Sequence, residues 1–361
     1  MTDNIPVEMK ALVLEEFGPP EALKYTTVPV PKLRNPTDVL VKVHAAGLNP
    51  VESHMRSGNM FTFLVKKPAI LGADYSGVII AKGSAVPGFE VNDAVFGTLK
   101  FPCGPQGSYA EYIVVDTAAD KAIAKKPDNL SFVDAASVGL ATLTALEGVV
   151  CKRPLPLEYN GEEGARPKVL VIGASGGVGM YGVQIAKAVG AEVVGICSGK
   201  NVSLVEGFGA DRVVDYNDKK AMDDLASNEK DSFDVVFDLV GGDDYYQRFM
   251  PLVKPKTGMF STAVGPTAHN GATKLSMLDY LSFGGTIFYR QFFASRRYSM
   301  ILNVPQDQFA SVIAPWLEQK KLGTFVSEEN IFDLKDGNKA HEKIESQRTV
   351  GKIVLRVIPD A

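Results

Sequence analysis

Apolar residues in this chain follow two kinds of pattern, and the change between them divides it. Up to about position 130 they come in short runs between Gly, Pro and Asn clusters, and 9–14, 39–44, 77–81, 94–96 and 110–115 each read as a strand. Short strands separated by so many turns predict a partly open barrel rather than alternating α and β units. One helix-like segment interrupts them after Pro50, with Val51 and Met55 on it and Gly58 as a stop. Ser131 is a candidate N-cap for the run 132–150, which is helical in period but broken near Gly139. Residues 151–167, rich in Pro, Gly and Glu, read as a surface loop. Apolar runs at 169–172, 212–214, 234–238 and 258–261 then alternate with helix-like sequence, as in a doubly wound parallel sheet. Near the end, 304–323 read as a helix and 351–357 as a strand that returns to the first unit.

The run 169–172 is β-branched and apolar throughout, as a strand covered on both faces should be, and glycines follow it at once. Ala174, Gly176 and Gly179, with Ser175, Gly177 and Val178 between them, fit the A/G-x-G-x-x-G spacing. One small residue there makes a tight turn, one lets backbone approach a pyrophosphate, and one lets helix pack on strand. A bare strand-turn-helix corner needs some of the same glycines. Here a helix-like segment ends at Gly190 and a second apolar strand follows directly, so the whole βαβ unit of a dinucleotide site is present. The helix N-terminus then offers N–H groups and partial positive charge to a diphosphate. About 20 residues on, an NAD site needs Asp or Glu for the ribose hydroxyls. This chain has Cys197, Ser198, Gly199 and Lys200 instead, a donor and a cation suited to a 2′-phosphate, which points to NADPH. Lys200 also reads as a solvated loop lysine.

Composition narrows the classes of function. A chain of 361 residues is too long for one small core and suggests two domains. A net charge of −4 gives no electrostatic reason to expect nucleic acid or an anionic membrane. Cys103, Cys151 and Cys197 are widely spaced, so neither a disulfide framework nor a thiolate metal site is suggested. The first residues lack a basic stretch followed by an apolar core, and no apolar run reaches membrane-spanning length. A cytosolic, reducing compartment is the expectation, with mitochondrial or membrane-surface association left open.

Several short motifs coincide with one family: Ala45-Ala46-Gly47-Leu48-Asn49-Pro50, Arg56-Ser57-Gly58, Gly72-Ala73-Asp74-Tyr75-Ser76-Gly77-Val78, Gly107-Ser108-Tyr109-Ala110-Glu111-Tyr112, the run 173–179, and Gly351-Lys352-Ile353-Val354-Leu355. In their order and spacing the chain resembles the zinc-independent branch of the medium-chain dehydrogenase/reductase superfamily, the quinone oxidoreductases and enoyl or alkenal reductases. The loop Arg153-Pro154-Leu155-Pro156-Leu157 looks like fungal members, which include trans-acting enoyl reductases of polyketide assembly. The resemblance implies an α/β protein in which a GroES-like, partly open β-barrel domain (1–130 and 305–361) packs against a Rossmann NADPH-binding domain (131–304). The cleft between them should be the active site.

In zinc-dependent members a Cys and a His ligate the catalytic metal; here Asn49 and Ala73 stand at those places, and the structural cysteines are missing. The resemblance therefore implies a metal-free reductase that passes hydride to a quinone or an α,β-unsaturated carbonyl compound. Asn49 would approach the nicotinamide ribose or the substrate. His54 stands where related reductases often carry a Tyr and would act as electrophile or acid; it reads equally well as a half-buried helix residue. Thr142 would contact the phosphate near the nicotinamide, and Tyr216 would lie beside the adenosine ribose and 2′-phosphate. Val240, Gly241, Ala263, Val264 and Gly265 would border the cofactor crevice. Thr142 also reads as a helix cap, Tyr216 as ordinary packing and the Val240-Gly241 pair as a strand-ending turn.

The aromatic stretch 280–298, with Arg290, Arg296 and Arg297 interleaved, suits the wall of a cleft for a flat quinone or an acyl chain, and equally a buried core or a dimer contact. A homodimer follows by resemblance. Two other readings stay open: a catalytically weak NADPH-binding sensor or scaffold, and a polyketide partner enzyme active only on carrier-bound substrate.

Overall fold

The computed structural model describes residues 5–59, 62–63, 65–100, 106–152, 155, 157, 166–266 and 276–358. Cys103 and, in the fungal-type loop, Arg153, Pro154 and Pro156 lie outside them.

The glycine-led strand becomes the middle of a parallel sheet. Six strands lie in the order Arg212–Asp215, Glu192–Cys197, Lys168–Ile172, Val235–Asp238, Met259–Thr262 and Arg297–Met300. Every pairing is parallel. Side chains alternate between faces, as the pleat requires. Val169, Val171, Val193, Val235 and Phe237 bury into one apolar cluster with Met180 and Val183 of the following helix. Leu170, Ile172, Val194, Ile196, Val236 and Phe260 bury into another with Met222, Leu225 and Phe249. The order in which strands are added reverses between Lys168–Ile172 and Val235–Asp238, which makes their carboxyl ends the switch point where such sheets bind ligands.

The first part of the chain, with two strands from its last part, builds sheets that are antiparallel except where Ile331–Asp333 pairs parallel with Ile353–Arg356. One has seven strands: Ile331–Asp333, Ile353–Arg356, Asp38–Leu48, Asp74–Lys82, Ala94–Thr98 and Ile123–Lys125 in order, with Tyr112–Asp116 also on Asp38–Leu48. A smaller sheet joins Leu23–Pro29, Glu8–Leu14 and Ala69–Ile70. The strand expected to return near the chain end does so: Ile353–Arg356 runs antiparallel to Asp38–Leu48 with Ile353 opposite Leu48. That register sets Lys352 beside Leu48 and Asn49.

The helical run after Ser131 breaks where expected. It divides into Phe132–Ala136, Gly139–Leu146 and a wide turn, Glu147–Cys151. The break has a packing cause, since a Cβ on Gly139 would sit 2.2 Å from Asp74 Oδ1, so only glycine lets the carboxylate reach the start of the second helix. The helix read across 304–323 is shorter, a wide turn Phe309–Ile313 continuing into Ala314–Glu318. Pro305 and Gln306 are taken up in the preceding turn, whose Pro305 and Gln306 carbonyls accept from Gln308 and Phe309 N–H. Phe309, Ile313, Trp316 and Leu317 bury in the same cluster as Val169 and Phe237. Composition alone marked the aromatic stretch; the structure makes it a helix, Met277–Phe293, whose Ser276 cap accepts from Asp279 N–H, followed by the sixth parallel strand. Among the described residues, no helix is long and apolar enough to cross a membrane.

Candidate active site

The glycine turn is held from within. Gly173 takes φ 83°, and its N–H and that of Ala174 both donate to Ile196 O, at 3.0 and 2.9 Å. Gly176 N–H closes the turn onto Gly173 O at 3.0 Å. A Cβ on Gly179 would lie 2.1 Å from that same oxygen, so the helix Gly179–Ala188 can start this close to its strand only from glycine. Ala174 is fully buried behind the turn, while Ser175, Gly176, Gly177 and Val178 are half-exposed on its outer side. Gly190 ends the helix in the left-handed region, φ 80°.

Beyond the second strand, Ser198 and Lys200 lie on a short turn next to Tyr216, whose N–H donates to Cys197 O at 3.0 Å. Tyr216 is 49 % exposed, so it is a surface ring rather than packing. The Ser198 hydroxyl is buried and has no hydrogen-bond partner among the described residues. Asn201 Nδ2 donates to Ser175 Oγ at 3.1 Å and ties this turn to the glycine turn. The sequence shows no acidic residue directly after the strand, yet the structure brings one in from the next strand: a Cβ on Gly199 would touch Asp215 Oδ2. Asp215 Oδ1 accepts from Asn217 N–H and Asn217 Nδ2, each at 2.9 Å, and these bonds hold the carboxyl below its ordinary range, with Gly199 N–H adding to them. Asp215 Oδ1 thus already faces two protein donors.

Two further strand ends complete the crevice. Asp238 Oδ1 accepts from Val240 and Gly241 N–H, both at 3.0 Å, and Thr262 Oγ1 accepts from Val264 and Gly265 N–H at 3.2 and 3.1 Å. Burial pushes the Asp238 carboxyl up, and those N–H bonds partly offset it. Gly241, at φ 78°, packs so closely on Val264 and Gly265 that a Cβ would sit 2.7 Å from Val264 Cγ1. Val240 faces Gly173 across the switch point. Val240, Gly241, Ala263, Val264 and Gly265 therefore share one rim with the glycine turn.

The other wall is a buried polar cluster that the sequence reading saw only in fragments. Asn49, 4 % exposed, precedes the helix Pro50–Ser57, and Glu52 reaches back to its N–H at 2.6 Å. Glu52 Oε1 also accepts from Ala73 N–H at 3.2 Å and from Asn49 Nδ2 at 3.3 Å. Asn49 Nδ2 donates to Asp74 Oδ2 at 3.0 Å, and Asp74 Oδ1 accepts from Leu140 N–H at 2.7 Å, capping the helix Gly139–Leu146. Lys352 Nζ closes the cluster on Asn49 Oδ1 at 2.6 Å and Leu48 O at 2.9 Å. Burial, with the Asp74 carboxylate adding to it, lifts the Glu52 carboxyl to about 8, although Lys352 and Asn49 act in the opposite sense. Burial thus favours the protonated form of Glu52, against the N–H groups of Asn49 and Ala73 that face its oxygens.

The two walls meet at one point. Gly351 pairs with Gly176 in a parallel bridge, and its N–H donates to Ser175 O at 2.9 Å. A Cβ on Gly177 would lie 2.8 Å from Lys352 Cδ. Of the residues expected at the site, Asn49 joins the cluster with its amide engaged at both ends, and His54 sits half-buried in the last turn of the same helix. Thr142 is fully buried with Oγ1 donating to Gly139 O at 3.0 Å, an internal bond of its own helix. Glu52, Asp74, Lys352, Asn201 and Asp215 were given no role by sequence. Only Glu52 carried a signal, its place three residues after Asn49 being the capping-box spacing.

A model of the alcohol dehydrogenase GroES-like domain matches residues 35–128, and one described as zinc-binding dehydrogenase matches residues 208–355. The chain is 31 % identical to the mitochondrial NAD(P)H oxidoreductase RTN4IP1 of Danio rerio over 98 % of its own length and 92 % of that protein's. It is 36 % identical to the chloroplastic NADPH-dependent alkenal/one oxidoreductase of Arabidopsis thaliana over 66 % of its length and 59 % of the other. Among solved structures, the quinone oxidoreductase from Coxiella burnetii superposes with a TM-score of 0.77 at 30 % identity, covering 97 % of this chain and 100 % of that one. The zinc in the second model's description does not fit the residues found here. Among the described residues, no group of three or more His, Cys, Asp or Glu side chains is placed to hold a metal, and the oxygens of Leu48, Asn49 and Asp74 are turned to an ammonium.

Proposed function

Because the chain belongs to the medium-chain dehydrogenase/reductase superfamily of oxidoreductases, in its quinone and enone reductase branch, we propose that it uses NADPH to reduce quinones or α,β-unsaturated carbonyl compounds without a metal. The observation that carries the reading is the junction at Gly176 and Gly351, where the glycine turn abuts the buried polar cluster of Asn49, Asp74 and Lys352. Residues 131–304 would serve the nucleotide and the flanking segments the substrate.

The glycine turn and the N-terminus of the helix Gly179–Ala188 receive the diphosphate. Ser198 Oγ and Lys200 Nζ take the 2′-phosphate, with Tyr216 beside the adenosine, while Asp215 Oδ1 is engaged by Asn217. Val240, Gly241 and the 263–265 rim bound the crevice, and Thr142 would contact the phosphate near the nicotinamide. NADPH, when bound, supplies a hydride. The protein's part is to orient an electron-poor double bond or quinone beside it and to hold the oxygen on which charge develops. His54 is the group proposed to donate to that oxygen, and Asn49 keeps the helix carrying His54 in place through its bonds to Asp74 and Lys352.

Steady-state NADPH oxidation with a panel of quinones, alkenals and enoyl thioesters tests the proposal. Saturable turnover of a free enone or quinone supports it; tight NADPH binding with no turnover of any acceptor overturns it in favour of a sensor or scaffold.

A further inference from the structure

The cation in this cleft belongs to the chain itself. Lys352 is 4 % exposed, and its Nζ lies 2.6 Å from Asn49 Oδ1, 2.9 Å from Leu48 O and 3.4 Å from Asp74 Oδ2. An ammonium has three N–H groups, so each is matched to a protein oxygen and none remains for a substrate. Lys352 can therefore act only through what it touches. By drawing in Asn49 Oδ1 it turns Asn49 Nδ2 to Asp74 Oδ2 and Glu52 Oε1, at 3.0 and 3.3 Å, and fixes the amide in one orientation. It also sets a positive charge against the fully buried Asp74. Its backbone neighbour Gly351 is bonded to Ser175 of the glycine turn, and its stem runs under Gly177.

These are the positions, Asn49 and Ala73 beside Asp74, at which the zinc-dependent relatives were expected to carry metal ligands. We propose that Lys352 is this protein's resident substitute for a divalent cation: a positioning residue that offsets Asp74, locks Asn49 and ties that locked geometry to the phosphate-binding turn. The inference rests on reading this cleft as the active site of a reductase.

The test is a cycle of Lys352→Met, Asp74→Asn and the double variant, read by thermal unfolding of the full chain without nucleotide, by NADPH affinity from fluorescence, and by turnover. Lys352→Met leaves a buried carboxylate unpaired and should lower the unfolding midpoint by roughly 5 °C or more; adding Asp74→Asn should recover at least half of that loss. Where turnover is seen, Lys352→Met should cut kcat about tenfold while KM for the acceptor and NADPH affinity stay within about threefold. Dialysis of the wild-type protein against a chelator should leave turnover unchanged. If Lys352→Met alone does not fold, recovery of folded protein in the double variant reads the same coupling. Additive unfolding shifts, or turnover lost to the chelator and restored by zinc, would overturn the inference. A wild-type protein that turns over none of the acceptors, yet shows the coupled unfolding cycle, refutes the reductase reading and leaves the cation's structural role standing.

Discussion

Raising the pH from about 5 to about 9 should strip a proton from inside the cleft, and the protein should lose stability as it goes. Glu52 is fully buried, and its carboxyl titrates at about 8 in the folded chain against 4.5 ordinarily. Below 4.5 both forms carry the proton and the group contributes nothing; between the two values the folded chain keeps a proton that the unfolded chain has released. Stability therefore falls as pH rises through this window and levels off once the folded carboxyl also ionises. A span of roughly 3.5 pH units at about 1.4 kcal/mol each sets a ceiling of about 5 kcal/mol on the loss. The Ala73 N–H facing the carboxyl favours its charged form, which brings the expected loss over the whole window to about 2–4 kcal/mol. Glu52→Gln keeps the shape and removes the titration. Denaturant unfolding of both proteins at about pH 5.5, 7 and 8.5 isolates the effect, because downward-shifted carboxyls such as Asp93, Asp211 and Glu229 contribute equally to the two and cancel in the difference. Wild type should lose about 1–3 kcal/mol relative to the variant between the extremes. Parallel curves would refute the claim that Glu52 holds a proton in the folded cleft.

Other expectations follow from single contacts. Gly179→Ala drives a Cβ to within 2.1 Å of Gly173 O, so it should cost about 2 kcal/mol or more in denaturant unfolding and abolish measurable NADPH binding. His54→Phe should lower turnover about 100-fold with NADPH affinity nearly unchanged; turnover at the wild-type level removes His54 from the mechanism. Lys200→Ala should weaken NADPH about tenfold in a fluorescence titration and leave NADH unaffected, and an equal effect on both would return Lys200 to a solvated loop.

Local chemistry was legible in the sequence wherever one segment specified it. The turn from Gly173 to Gly179, the helix stops at Gly58 and Gly190 and the break at Gly139 each depend on a residue type whose reason lies nearby in the chain or in plain sterics. The strands at 169–172 and 234–238 were readable because burial on both faces makes them apolar throughout. The polar cluster was not, because Asn49, Glu52, Asp74 and Lys352 meet only when the last strand pairs with Asp38–Leu48; an isolated Lys at the head of an apolar strand looks like a solvated end. Asp215 escaped notice for a similar reason, reaching Gly199 from the neighbouring strand rather than from the expected offset along the chain. The helix Met277–Phe293 was masked by its own composition. Met277, Leu278, Leu281, Phe288, Tyr289, Phe292 and Phe293 are all exposed on it, so no apolar stripe with a polar opposite face marks the period.

The turn at 173–179, with Ser198 and Lys200, is proposed to seat a nicotinamide nucleotide bearing a 2′-phosphate. Titrating the purified wild-type protein with NADPH and with NADH, following nucleotide fluorescence at one ionic strength, tests it most directly. The account predicts a single saturable NADPH site at least about tenfold tighter than that for NADH. Equal affinities, or no binding of either nucleotide, would contradict it.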